Sequence, residues 1–236
     1  MMPAGFEQIK NDIVVSAIIP ALDAAGTLAA ALAPLRAAAL VGEIVVVDGG
    51  SGDATAAIAR AEGARVIQAP RGRGTQLAAG ADAARGRWML FVHADCRLGP
   101  GWEDAAGHFV AAPGAHDRAG YFDLVLDDAA PEARCIERIV AWRSRRLGLP
   151  YGDQGLVIAR ALYDRVGGFA PLPLMEDVDL VRRLGRRRLV ALGAPCIASA
   201  RRYQRDGYWR RPARNLVCLS LYFAGVPPHR IARLYG

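Results

Sequence analysis

Between residues 13 and 100 the chain alternates short, almost unbroken apolar runs with alanine-rich stretches, and that alternation predicts strands and helices in turn. Strands are expected at Ile13 to Ile19, Glu43 to Val47, Arg65 to Gln68 and Trp88 to Val92. Helices are expected at Thr27 to Ala39, Asp53 to Ala61 and Thr75 to Ala84. Pro34 should kink or restart the first of them, because proline has no N–H to donate and its ring crowds the preceding turn. This half reads as a nucleotide-binding βαβ array, a parallel sheet wrapped by helices. After Pro100 the regularity loosens into a helix from Trp102 to Val110, a strand from Tyr121 to Leu126 and a long helix from Glu132 to Leu147. Shorter elements follow through Ile158, from Glu176 to Leu184 and from Leu189 to Ala200. No linker rich in Gly, Pro and Ser divides the chain and no repeat is visible, so one domain is expected over 1–236, with a binding half at 13–100 and a second lobe at 101–236.

Composition sharpens this picture in three respects. At 236 residues and 53% hydrophobic the chain can build a substantial core. The formal charge of +7 is carried almost wholly by arginine, since Lys10 is the only lysine. Arginine binds phosphate as a planar fork, so an anionic substrate, an acidic membrane surface and nucleic acid are all compatible with the charge. Nucleic acid fits least, because only Tyr203, Tyr208 and Trp209 interleave with the Arg201 to Arg214 cluster. The four cysteines, Cys96, Cys135, Cys196 and Cys218, lack CxxC spacing, which argues against a zinc knuckle or a disulfide framework and fits a reducing cytosol. No basic segment leads into an apolar core near Met1, so no secretory leader is expected. The apolar stretch Leu216 to Val226 is shorter than the roughly 20 residues that span a bilayer. With arginines before it and His229-Arg230 after it, it suits either a core-packing terminal helix or one resting on an acidic membrane surface.

Four stretches carry candidate chemistry. In Phe91-Val92-His93-Ala94-Asp95-Cys96 an apolar run ends in a His and an Asp two apart, which in an extended strand face the same side and would together offer a divalent ion two donors. Val45-Val46-Val47-Asp48-Gly49-Gly50-Ser51 is a buried strand entering a glycine turn, where Asp48 can accept hydrogen bonds from a base or ribose and Ser51 or Asp53 can cap the next helix. Methyltransferases and dinucleotide enzymes open the same way. Arg71-Gly72-Arg73-Gly74 before a helix is either an anion clamp or an exposed loop, and it lacks the spacing of a P-loop. Glu176, Asp177 and Asp179 at a helix start either complement the helix dipole or supply a general base.

Taken in order, these pieces resemble an inverting family 2 glycosyltransferase of the GT-A fold, and the resemblance runs from Ser16-Ala17-Ile18-Ile19-Pro20 nearly to the C-terminus. Within that family the chain is similar to a small bacterial subgroup with a GRG-Q loop (Gly72 to Gln76), a HAD version of the metal motif (His93 to Asp95), YGDQG (Tyr151 to Gly155) and PLMED (Pro173 to Asp177). The resemblance implies a Rossmann-like α/β fold with a mainly parallel central sheet flanked by helices. It implies a nucleotide-diphosphate sugar donor, a hydroxyl acceptor and Mn²⁺ or Mg²⁺. Pro20 and Ala21 would line the nucleotide pocket, Asp48 would contact the base, and Arg71 and Arg73 would lie near the phosphates. His93-Ala94-Asp95 takes the place of the family's DxD, with Asp95 and His93 as metal ligands. Asp177 would be the catalytic base, with Glu176, Asp153 and Gln154 shaping the acceptor site.

Three positions depart from the family pattern. His93 stands for the first Asp of DxD and offers a softer nitrogen, Asp23 stands for an Asn, and Gly49 stands for the second Asp of the VDDGS turn. Gln204 to Trp209 lacks the arginine of the processive synthases' QxxRW signature. Two rival classes remain: a nucleotide-sugar-binding protein without turnover, and an S-adenosylmethionine-dependent methyltransferase built on the Asp48 turn. The second leaves His93, Asp95, Glu176 and Asp177 without a task.

Overall fold

The computed structural model describes residues 15–235, so the expected strand start at Ile13 lies outside the described residues. One eight-stranded sheet forms the centre: β1 (Val15–Ala21), β2 (Val41–Asp48), β3 (Arg65–Gln68), β4 (Trp88–Phe91), β5 (Cys96–Leu98), β6 (Ala119–Leu126), β7 (Leu156–Ala159) and β8 (Leu189–Ala198). Their spatial order is β3-β2-β1-β4-β7-β6-β8-β5. The first four strands are mutually parallel. β7 runs antiparallel to β4 and β6, β8 parallel to β6, and β5 antiparallel to β8. Every residue of β1 and β4 is buried, as expected for strands covered on both faces.

Helices α1 (Leu28–Ala37), α2 (Thr55–Ala61) and α3 (Arg73–Ala83) connect the parallel strands, followed by α4 (Trp102–Ala111), α5 (Pro131–Leu147), α6 (Arg160–Arg165) and α7 (Glu176–Leu184). The chain ends in α8 (Arg201–Asp206), α9 (Arg210–Phe223) and α10 (Pro228–Tyr235). Pro34 does not restart the helix: α1 runs through it, with Leu28, Ala31, Leu32 and Leu35 buried. Packing of that apolar face outweighs the loss of one helix bond. α3 lies unusually close to β1 and β2, since a Cβ on Gly80 would come within 2.4 Å of Ile18 Cγ2 and 2.8 Å of Val47 Cγ2. Gln76 on the same helix fixes the approach, its Nε2 donating to the carbonyls of Ala21 and Val47 at 2.8 Å each. The carboxyl ends of β1 and β2 are thereby tied to the helix, and the crevice beyond them is where α/β sheets bind ligands. Among the described residues no helix is long and apolar enough to cross a membrane.

Candidate active site

β4 stops at Phe91, and His93 and Asp95 do not belong to an extended strand. A tight turn, closed by the Cys96 N–H donating to the His93 carbonyl at 3.0 Å, brings the two side chains together instead. It also brings a third side chain to them, one that the sequence reading did not assign. The ligand atoms of His93, Asp95 and Cys96 all lie within 4.8 Å of one another; the N and O atoms suit a divalent ion, whereas the Cys96 thiol, its pKa pushed up by Cys196 and burial, donates to the Asp95 carboxylate at 3.7 Å. The imidazole sits directly on Gly152, where a Cβ would approach Nε2 to 2.3 Å. Burial, with the positive charge of Arg73, pulls the His93 pKa down to about 4, against the attraction of Asp95 and Asp177. The neutral imidazole is the form that binds metals. Asp95 is held below its ordinary value: burial opposes this, but the positive Arg202 and Arg73 outweigh it. Arg202 on α8 lies 3.5 Å from the Asp95 carboxylate.

Opposite stands the start of α7. Met175 precedes it in the left-handed region, with φ of 68° for a non-glycine residue, the sort of local strain that collects at functional sites. The helix start then delivers Asp177 toward the turn at Tyr151–Gly155. Its Oδ2 accepts the Gly152 N–H at 2.8 Å and its Oδ1 the Val178 N–H at 2.7 Å, which fixes the carboxylate's orientation. Glu176, 1% exposed, turns inward to Arg73 at 3.2 Å. Burial and the neighbouring Asp177 raise its pKa to about 7, with Arg73 pulling the other way. Asp153 is raised to about 6 by burial, opposed by Arg143 and reinforced by Asp177 and Asp95.

His93, Asp95, Asp153 and Asp177 line one cavity of about 120 Å³, together with Arg73, Tyr151, Arg202, Arg211 and Asn215. It adjoins a groove of about 760 Å³ bordered by Pro20, Ala21, Arg71, Arg73, His93, Ala94 and Asp95 and by arginines of the C-terminal helices. Three expected site residues sit elsewhere. Gln154 is fully buried and does not reach the cavity: its Oε1 accepts from Ser144 at 2.7 Å and its Nε2 donates to the Phe122 carbonyl at 3.0 Å, so it holds the turn in place. Asp48, 2% exposed, is engaged by Ser51 and by Gln68 Nε2 at 2.8 Å and does not border the groove. Glu176 borders neither space. The sequence reading did not assign Cys96, Arg202, Arg211 and Asn215 to the site; the last three reach it on helices α8 and α9 only through the tertiary fold.

Residues 16–113 match the family model described as Glycosyl transferase family 2. No curated protein matches the chain. Among solved structures the chain is similar to glucosyl-3-phosphoglycerate synthase from Mycobacterium tuberculosis, in complex with Mn²⁺, uridine diphosphate and glucosyl-3-phosphoglycerate. There the TM-score is 0.65 at 23% identity, over 96% of this chain and 87% of that one. Mannosyl-3-phosphoglycerate synthase from Rubrobacter xylanophilus gives a TM-score of 0.63 at 20% identity, over 95% and 80%. A mycobacterial protein gives 0.65 at 25% identity, over 96% and 80%. The likeness extends across both halves of the sheet, and the fold is that of the GT-A glycosyltransferases.

Proposed function

We propose that this family 2 glycosyltransferase moves a sugar from a nucleotide-diphosphate donor to the hydroxyl of an acceptor, with inversion at the anomeric carbon and Asp177 as general base. The observation that supports this most is that Asp95 and Asp177, from opposite lobes, line one cavity continuous with an arginine-rich groove. In the step, Asp177 takes the acceptor's hydroxyl proton while that oxygen bonds to the anomeric carbon. The bond from that carbon to the phosphate oxygen breaks, and the nucleoside diphosphate leaves with the electron pair. Arg71, Arg73 and Arg202 border its path and offset the developing charge. A divalent ion, which His93 and Asp95 would hold, would supply further positive charge against the diphosphate. The Mn²⁺ and uridine diphosphate bound by the mycobacterial synthase favour this reading over the methyltransferase.

Binding of nucleotide sugars with Mn²⁺ or Mg²⁺, followed by calorimetry and by donor turnover, tests it. Asp177→Asn should bind nucleotide as the wild type does and transfer about 10²- to 10⁴-fold more slowly. Asp95→Ala should lose metal-dependent nucleotide binding. Transfer at the wild-type rate by a folded Asp177→Asn protein overturns the base assignment. Absence of any turnover by the wild type favours the binding-protein alternative. The exposed side of α9, carrying Leu216 and Val217 beside Trp209, further supports contact with an acidic membrane surface. Co-sedimentation with acidic but not zwitterionic vesicles is the expected result.

A further inference from the structure

Glu176 stands in the first turn of α7, is 1% exposed and borders neither the cavity nor the groove, so it lies out of a substrate's reach. What it does touch is Arg73. The guanidinium Nη1 donates to Glu176 Oε1 at 3.2 Å, which joins the binding half of the chain to the second lobe. Arg73 opens α3, directly after Gly72 with its φ of 145°. The start of that helix is pinned to the segment before α7, since a Cβ on Gly74 would stand 2.3 Å from the Ala170 carbonyl oxygen and 2.9 Å from Leu172 N. The Arg73 side chain is thus fixed at its root by α3 and at its tip by Glu176. Between these anchors it borders both the cavity of Asp177 and the groove, and its positive charge is felt at His93, Asp95 and Asp153. A buried acid–arginine pair adds little to stability, because desolvation offsets most of the attraction. Its effect falls instead on where the arginine is. A guanidinium already held in place does not have to be ordered when charge develops beside it.

We propose that Glu176 is a positioning residue for the transfer, holding the Arg73 guanidinium across the boundary between the lobes, where the donor's diphosphate becomes the leaving group. The inference rests on the transferase reading. As the bond from the anomeric carbon to the phosphate oxygen breaks, that oxygen keeps the electron pair, and Arg73 meets the growing charge without first having to move. The charged groups that face Glu176 are Asp177 beside it on α7 and Arg73 on α3. With its pKa raised to about 7, chiefly by burial, much of the population at neutral pH holds Arg73 through an uncharged carboxyl. An accepting oxygen, rather than a negative charge, is therefore what the position requires. The two adjacent acids at the start of α7 thus have unlike tasks: Asp177 faces the cavity and can take a proton, whereas Glu176 is turned away from it and acts through Arg73.

The test measures nucleoside diphosphate release to water, with Mn²⁺, from UDP-glucose, UDP-N-acetylglucosamine, GDP-mannose and ADP-glucose, and compares variants on the fastest of them. Glu176→Met, close to glutamate in length but without an oxygen, should lower kcat about 10- to 100-fold while the donor KM changes little. Glu176→Gln, which keeps an accepting oxygen, should recover most of that loss. Arg73→Met should be slow as well, and adding Glu176→Met to it should slow it no further, because the effect of Glu176 runs through Arg73. If the urea transition shows that Glu176→Met does not fold, Glu176→Asp takes its place with the same expectations, its carboxylate being one methylene too short to reach the guanidinium. Wild-type kcat in a folded Glu176→Met or Glu176→Asp protein overturns the inference. So does a Glu176→Gln protein as slow as Glu176→Met, and so do effects that multiply in the double variant. Absence of turnover of every donor by the wild type defeats the transferase reading and the inference with it, a failure distinct from the others.

Discussion

Gly152 touches the site through what it lacks. A methyl group there would lie 2.3 Å from His93 Nε2 and 2.4 Å from Cε1, inside any real contact, so Gly152→Ala must push the imidazole away from Asp95 and Cys96. Overpacking of this kind costs about 1–3 kcal/mol, and the substitution should weaken metal-dependent nucleotide binding as well as lower the urea midpoint. An unchanged metal titration would show that His93 is not a ligand. Glu176 gives a second prediction, through pH. Burial and Asp177 hold its pKa near 7 against the ordinary 4.5, with Arg73 the one opposing charge, so the folded state keeps a proton that the unfolded chain releases. Stability from this group is complete below about pH 4.5 and is lost as pH rises through about 7. The melting temperature should therefore fall between those limits, and Glu176→Gln should flatten that part of the profile, Asp153 accounting for a remainder nearer pH 6. Asp95 and Asp177 were legible in the sequence because each stands in a motif at the edge of a predicted element. The demand on Gly152 was not, since it is set by a ring from another part of the chain.

At the level of elements, α3 shows how one side chain sets a sheet's edge. Gln76 ties the Ala21 carbonyl of β1 and the Val47 carbonyl of β2 to the helix, and Gly80 allows the close approach that makes those bonds possible. Gln76→Leu removes both bonds from a buried setting and should cost about 1–3 kcal/mol, read as a fall in the urea midpoint without a change in slope. A change below a few tenths of that would mean that the strand ends are held by the ladder alone. The parallel strands and α7 could be read from sequence because apolar runs and acidic starts are local signals. β5 could not: Cys96–Leu98 is three residues long and exists because β8 pairs with it from across the fold. The Arg201 to Arg214 stretch read as one basic cluster, whereas the structure divides it at Gly207, whose φ of 93° ends α8 and lets α9 turn back over the site. Gln154 looked like a site residue because it sits in a motif beside Asp153. Only the Ser144 and Phe122 contacts reveal it as a brace.

For the molecule as a whole, the positive charge is not spread evenly: the groove is bordered by Arg71, Arg73, Arg201, Arg202, Arg205, Arg211 and Arg214, against Asp23, Asp95 and Asp206. These arginines differ in what they can do at a distance. Arg205, Arg211 and Arg214 share the single carboxylate of Asp206, Arg202 lies against Asp95 and Arg73 against Glu176, so each of these side chains is held by an acidic neighbour. Arg71 and Arg201 are exposed and make no ion pair among the described residues, so their charge reaches into solvent. A diphosphate approaching the groove should feel its positive field, to which Arg71 and Arg201 contribute without an acidic partner among the described residues, and only while salt does not screen it: the Debye length shortens from about 10 Å at 0.1 M to about 3 Å at 1 M. Association of a nucleoside diphosphate, measured by stopped flow with Mn²⁺ saturating, should slow as ionic strength rises over that range, with dissociation changing less. Arg71→Ala and Arg201→Ala should each flatten the salt dependence. If both leave it as steep as in the wild type, these two arginines do not steer the ligand into the groove.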